Sequence, residues 1–150
     1  MGGFWRFVHF LSLAMWIGGA LSAMVAGLAM QRLDRRLWGG VADAQAGIYR
    51  MLVGPGAMVN VASGLLLTFR MYGAMSGQVG TWLGSMQGLG LLAALVTLLG
   101  AMPAASRLTR LEPVGETAAA FDATRRRLAL TGSIGGTLAL LALLAGALYR

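Results

Sequence analysis

The chain has 150 residues, of which 57% are hydrophobic and only 11% are charged. So few charged residues cannot cover the surface of a water-soluble domain of this length, so the composition predicts a protein solvated by lipid. The net charge is +7 and the sequence has no Cys, which excludes disulfides, Cys-ligated zinc, iron–sulfur clusters and thiol catalysis.

The first predicted element is a transmembrane helix over residues 7–30, between Arg6 and Gln31. A helix needs about 20 apolar residues to cross a bilayer, and this stretch exceeds that length. Its only polar side chains are His9, Ser12 and Ser22. The prediction is therefore a complete membrane span that contains one ionisable group.

Three further apolar stretches predict three more spans, over residues 51–69, 82–102 and 128–149. Helix is also expected at 43–49 before the second span and at 117–127 before the fourth. The tripeptide Gly54-Pro55-Gly56 predicts a kink or a frayed start in the second span, because proline removes a backbone donor. The fold class expected is all-α: one domain over residues 1–150, an up-down-up-down bundle of four transmembrane helices.

The distribution of arginine predicts how the bundle is oriented. The first and third connections, with the helix entries that follow them, carry Arg32, Arg35, Arg36, Arg50, Arg107, Arg110, Arg125, Arg126 and Arg127, whereas Arg6, Arg70 and Arg150 fall on the other side. The positive-inside rule then places those two connections in the cytoplasm and both termini on the outer side. Arginines at span ends face lipid headgroups, so the expected partner is the lipid bilayer and no nucleic acid.

Small residues recur at four-residue spacing and predict close packing between helices. They include Gly19, Ala23 and Gly27 in the first span, Gly84 and Gly88 in the third, and Gly132 and Gly136 in the fourth. The same stripes could serve association with a second copy or with a larger membrane complex.

His9 is the only histidine in the sequence and lies one turn inside the outer end of the first span. An ionisable residue within a span suggests function, because placing it there is unfavourable. Imidazole can ligate haem iron or copper, or relay a proton. The alternative is a histidine that only hydrogen-bonds a neighbouring helix or lipid headgroups.

Two polar residues of the second span are further candidates for a cofactor site. Asn60 lies near the middle of that span, so its amide needs either a partner on another helix or a bound ligand. Arg70 ends the span on the same side as His9, where it could pair with a haem propionate or simply extend its guanidinium to the headgroups.

Three methionines, Met71, Met75 and Met86, fall near the predicted outer end that also holds His9. Thioether sulfur suits Cu(I), so His9 with these residues makes a second candidate metal site. Methionine is also a common filler of apolar gaps, and no strict repeat of Met is present. All five carboxylates lie in the connections, which argues against an ion-coupled transporter with a membrane-buried acid.

The segment Phe4-Trp5-Arg6-Phe7-Val8-His9-Phe10, followed by Trp16-Ile17-Gly18-Gly19, resembles the first helix of the copper-resistance-D-like superfamily. That superfamily includes the membrane protoporphyrinogen oxidases and small four-helix bacterial membrane proteins. Pro55 followed by Ser63-Gly64-Leu65, and Trp82-Leu83 at the third helix, are similar to the same pattern.

The resemblance implies a four-helix protein of the bacterial inner membrane with His9 as a haem or metal ligand. The protoporphyrinogen oxidases usually carry a lysine early in the third helix, where this chain has Ser85-Met86-Gln87. Three functions follow as hypotheses: binding of haem b through His9, copper handling, or a non-catalytic scaffold or accessory subunit of a larger membrane complex that holds no cofactor. No enzymatic activity is predicted.

Overall fold

A computed structural model describes residues 2–71 and 78–148, and all the regular structure in these two stretches is helical. The helices are α1 (Gly2–Met30), α2 (Trp38–Ile48), α3 (Gly54–Met71), α4 (Gln78–Val96), α5 (Met102–Leu108) and α6 (Ala118–Ala147). A 3₁₀ turn (Arg35–Leu37) precedes α2, and single π-helical turns (Tyr49–Val53 and Thr97–Ala101) join α2 to α3 and α4 to α5.

Within the described residues, four helices are long and apolar enough to cross a membrane: Gly3–Met30, Arg35–Arg70, Gly80–Leu108 and Ala118–Ala147. The all-helical architecture predicted from the sequence is therefore confirmed. The second helix begins well before residue 51 and the third continues past residue 102. Backbone hydrogen bonding continues past the apolar stretch that a hydropathy pattern detects, so the helices are longer than the predicted spans.

The distribution of side chains differs from that of a water-soluble bundle. The buried core consists mostly of alanine, whereas large apolar side chains point outward. Phe69 is 74% exposed, Met51 71% and Leu99 70%. Small residues inside and large apolar residues outside suit helices that pack closely against one another and are surrounded by lipid.

The four long helices form two closely packed pairs, α1 with α3 and α4 with α6. The closest approach is at Gly56, where a Cβ atom would lie 2.8 Å from the backbone nitrogen of Trp16. Near Gly19 the second helix is almost as close, because a Cβ there would lie 2.9 Å from Val53 Cγ2. The predicted packing role of Gly19 thus agrees with the structure.

The glycines of α4 behave differently from the prediction. Among the described residues, no atom lies within 4 Å of a Cβ built on Gly84 or Gly88. The face of α4 that meets α6 contains Met86 and Gly90, which lie close to Gly146 and Ala142 respectively. Gly84 and Gly88 lie on a different face of this helix, and the expectation that they pack within the bundle is wrong.

Each π-helical turn lies directly before an X-Pro pair, Gly54-Pro55 in the second helix and Met102-Pro103 in the third. In both, the residue before the proline donates its N–H to the carbonyl five residues earlier. A turn that is one residue wider relieves the clash of the proline ring with the preceding turn. The irregularity expected at Gly54-Pro55-Gly56 therefore lies one turn earlier.

The first and third connections meet at one end of the bundle, which we call the arginine-rich end. Arg35 donates from Nη2 to Asp122 Oδ2 at 2.7 Å and from Nε to the Pro113 carbonyl at 2.6 Å. The Trp38 ring is flanked by the guanidinium groups of Arg35 and Arg125, 5.0 Å and 5.2 Å from its centroid. The opposite end, which contains the first turns of α1, is the His9 end.

Candidate functional site

His9 projects from α1 toward α3 and is partly buried there. Its Nδ1 lies 3.0 Å from Ser63 Oγ and 3.2 Å from the Asn60 carbonyl oxygen. The ring also covers Gly64, since a Cβ on that residue would lie 3.2 Å from His9 Cε1. A glycine at this position therefore lets the imidazole lie flat on α3.

The hydrogen-bond partners favour a proton on Nδ1 of the imidazole. Asn60 Nδ2 also lies 3.4 Å from Nδ1, but its two hydrogens have the His9 carbonyl and Ser12 Oγ as acceptors. The Ser63 hydroxyl donates to the Val59 carbonyl at 2.7 Å, so its oxygen accepts at 3.0 Å from His9. A backbone carbonyl can only accept, which makes Nδ1–H the donor to Asn60 as well. Nε2 then carries the lone pair, and no residue of the described stretches hydrogen-bonds to it.

Asn60 completes a small polar cluster with His9, Ser12 and Ser63. Its Nδ2 donates to the His9 carbonyl at 3.0 Å and lies 3.4 Å from Ser12 Oγ. Asn60 is 8% exposed, and both of these contacts cross from α3 to α1. The structure therefore brings His9 and Asn60 together, with the Asn60 amide joining two helices and not facing an open site.

The other predicted ligands are not brought to His9 by the described residues. Arg70 is exposed near the end of α3, and the described stretches offer it no ion pair. Met86 packs on α6, where a Cβ on Gly146 would lie 2.8 Å from its sulfur. Met75 and the side chain of Met71 lie outside the described residues.

The described part of the chain contains no group of three or more His, Cys, Asp and Glu side chains that could hold a metal ion. A site at His9 would therefore depend on one protein nitrogen, with any further ligand coming from a methionine, a neighbouring molecule or the cofactor itself. The Nδ1–H of His9 is held by two acceptors, and such contacts orient a histidine whose other nitrogen binds metal.

A second feature, which the sequence did not reveal, is a cleft of about 510 Å³ between α1 and α6. Its walls are mainly apolar and include Trp16, Ile17, Leu21, Met24, Leu28 and Leu140. Its polar lining residues are Gln31, Gln45 and Arg125 toward the arginine-rich end, and Tyr49, Ser133 and Thr137 farther along α6. The cleft does not include His9, so the two sites are separate.

Gln45 forms part of the wall of this cleft and is only 6% exposed. Its Nε2 donates to the Ala23 carbonyl at 2.7 Å, and a Cβ on Gly27 would lie 2.8 Å from the same nitrogen. Its Oε1 is buried without a hydrogen-bond partner in the described chain, as is Nε of Arg125. The glycine at position 27, predicted for helix packing, in fact admits this amide.

No family model, no curated protein and no solved structure matches this chain. The resemblance to the copper-resistance-D-like superfamily therefore stays a prediction. Fold and site together define an apolar four-helix protein with one histidine anchored between two helices and an amphiphilic cleft on another side of the bundle.

Proposed function

We propose that this chain is a four-pass integral membrane protein that holds haem b through Nε2 of His9. The observation that carries the proposal is the pair of acceptors at His9 Nδ1, the Ser63 hydroxyl and the Asn60 carbonyl, while Nε2 has no partner in the described chain. Haem iron binds a neutral imidazole nitrogen in this way.

Insertion into a bilayer is supported by the four long apolar helices and by their exposed large side chains. In the proposed orientation the arginine-rich end lies in the cytoplasm and the His9 end faces outward. The chain has no cysteine, so single cysteines at Thr109 and Gly3 report the two ends. An impermeant maleimide should label Gly3→Cys in intact cells and Thr109→Cys only after lysis; the reverse pattern would overturn this orientation.

Haem binding is tested by absorption spectroscopy of the purified protein, before and after addition of haemin, in the oxidised and dithionite-reduced states. A Soret band that shifts on reduction is expected, together with the sharp bands of a b-type haem. His9→Ala should abolish them, and added imidazole should restore binding to that variant. Ser63→Ala should weaken haem affinity by about 10–100-fold, because it releases the ring.

Met86→Leu is the matched control, since Met86 packs on α6 and away from α3. It should leave the haem spectrum unchanged. A protein that stays colourless with added haemin, or a spectrum that His9→Ala does not alter, would overturn the proposal. Copper that binds stoichiometrically and is lost in His9→Ala would identify the metal as copper instead.

A second candidate function, lateral association as a scaffold or accessory subunit, is favoured by one observation on α4. Gly80, Gly84 and Gly88 follow one stripe, and among the described residues none has an atom within 4 Å of its added Cβ. Such stripes allow helices of separate chains to approach closely in lipid. Gly84→Leu should then disrupt the association of copies in a membrane, measured by energy transfer between labelled copies. Gly18→Leu is the control, because Gly18 also faces open space, but on α1, and it should leave the association unchanged.

A further inference from the structure

The cleft between α1 and α6 is long and mainly apolar, and the charged residue that lines it, Arg125, lies at one end. Along α6 it extends from Arg125 to Leu140, which at ~1.5 Å per residue corresponds to about 22 Å. Along α1 it extends from Gln31 to Trp16, over the same number of residues in the opposite direction. A molecule that fits this shape has a long apolar part and one polar end.

The polar end carries positive charge that the protein does not neutralise. Arg125 forms no ion pair in the described chain, and its Nε is buried without a partner. The nearby Asp122 carboxylate accepts from Arg35 through Oδ2, and its Oδ1 has no partner in the described chain. One carboxylate thus stands against the two guanidinium groups of Arg35 and Arg125. The Arg125 guanidinium is held in place because it stacks on the Trp38 ring. This end therefore suits an anion.

Near this end Gln45 has an acceptor that no donor reaches. Gln45 commits its amide nitrogen to Ala23, and this leaves Oε1 buried without a partner among the described residues. Burying an acceptor without a partner is unfavourable, so a group that donates a hydrogen bond here would stabilise the site. The Tyr49 hydroxyl also lines the cleft, but farther along α6, where a Cβ on Gly132 would lie 2.9 Å from it.

We infer that this cleft binds a single phospholipid with an anionic headgroup that carries a free hydroxyl, of the phosphatidylglycerol type. The phosphate pairs with Arg125, a headgroup hydroxyl lies beside Gln45, and one acyl chain fills the mainly apolar length between α1 and α6. The volume of about 510 Å³ falls within the roughly 300–1,000 Å³ usual for small-molecule sites. The inference depends on the proposed membrane insertion but not on haem binding at His9.

Native mass spectrometry of delipidated protein tests this, with phosphatidylglycerol and phosphatidylcholine of matched acyl chains as probes. One phosphatidylglycerol should bind in preference to phosphatidylcholine. Arg125→Gln should weaken phosphatidylglycerol binding by about tenfold, the loss expected for one charge-assisted contact, and remove the preference. Arg126→Gln, an exposed neighbour, is the matched control and should behave as the wild type.

A second pair of variants tests the cleft independently of charge. Gly136 lines the cleft, and among the described residues no atom lies within 4 Å of a Cβ built on it, so Gly136→Leu adds its side chain to the cleft. Gly18→Leu adds the same side chain to an equally open position on α1 that does not line the cleft. Lipid binding should fall in Gly136→Leu and persist in Gly18→Leu.

The proposal is overturned if both lipids bind equally, if Arg125→Gln retains wild-type preference, or if Gly136→Leu binds lipid as well as Gly18→Leu does. It is also overturned if the extracted protein carries an isoprenoid quinone that phosphatidylglycerol does not displace. Labelling of Gly3→Cys and Thr109→Cys reports membrane insertion separately, so failure at the cleft would leave the four-pass topology standing.

Discussion

The α1–α3 interface and the α1–α6 cleft share one helix but satisfy their polar groups very differently. Between α1 and α3, the backbones approach until Gly56 has no room for a Cβ, and the His9, Asn60 and Ser63 side chains bond across or along the interface. Between α1 and α6 there is a cleft, and polar atoms of Gln45 and Arg125 have no partner among the described residues. Hydrogen bonds of Asn60 and Ser63 hold the first pair of helices together and leave Nε2 of His9 for a ligand, whereas the second pair leaves an open cleft.

The physical reason for this difference lies in which residues face each other. Lipid tails are as apolar as leucine, so helices gain stability in a membrane from close packing and internal hydrogen bonds. On α3, Gly56 and Gly64 allow α1 to approach closely, and Asn60 donates the hydrogen bonds that join the two helices. The α6 side has open space beside Gly136 and a tyrosine hydroxyl close to Gly132.

The largest effect is expected for Gly56→Ala, which tests the tight interface directly. The new Cβ would lie 2.8 Å from Trp16 N and 3.0 Å from the Ser12 carbonyl oxygen. Both are backbone atoms, so no side-chain rotation can relieve the contact. The helices must separate, so we expect a loss of about 3 kcal/mol in unfolding free energy. Unfolding in mixed micelles of increasing denaturing detergent measures it.

Gly18→Ala is the control for that experiment, because its added Cβ would have nothing within 4 Å. It should equal or slightly exceed wild-type stability, since alanine favours helix by up to about 1 kcal/mol. Equal stability of the Gly56 and Gly18 variants would contradict the close approach of α1 and α3.

The sequence predicted the helices better than their contacts. Apolar stretches are sufficient to locate four spans, because every backbone polar group must be satisfied inside a bilayer. The pairing of His9 with Asn60 requires the relative rotation of α1 and α3, which depends on where glycine permits approach. The roles of Gln45 and Arg125 were missed because both lie in stretches taken as connections or helix entries, and Arg125 was interpreted only as a topology charge.

An intermediate effect is expected for Asn60→Leu, which keeps the approximate size of the side chain and removes its amide. The hydrogen bond to the His9 carbonyl at 3.0 Å and the contact with Ser12 at 3.4 Å are both lost. Hydrogen bonds between membrane helices contribute about 0.6–2 kcal/mol, and we expect a destabilisation in that range. The measurement is the same detergent unfolding, with haem uptake recorded in parallel. A variant as stable as the wild type would show that Asn60 does not join the helices.

The smallest effect is expected for Gln45→Met, the matching substitution in the cleft. It removes one hydrogen bond, to Ala23, but also removes an acceptor that is buried without a partner. Replacing a poorly satisfied polar group by an apolar one of similar shape is close to neutral. The unfolding free energy measured in detergent should therefore change by less than about 0.5 kcal/mol.

The unfolding free energy of Gln45→Met, measured again with phosphatidylglycerol present, tests whether the cleft differs from the α1–α3 interface in binding a lipid. If a headgroup hydroxyl satisfies Gln45 Oε1, the lipid stabilises the wild type more than Gln45→Met, and the difference between them grows as lipid is added. If Gln45→Met lowered the unfolding free energy in lipid-free detergent as much as Asn60→Leu does, Gln45 would already have its hydrogen-bond partners within the protein. The cleft would then be a second structural interface, and its polar end would give no reason to expect a bound lipid.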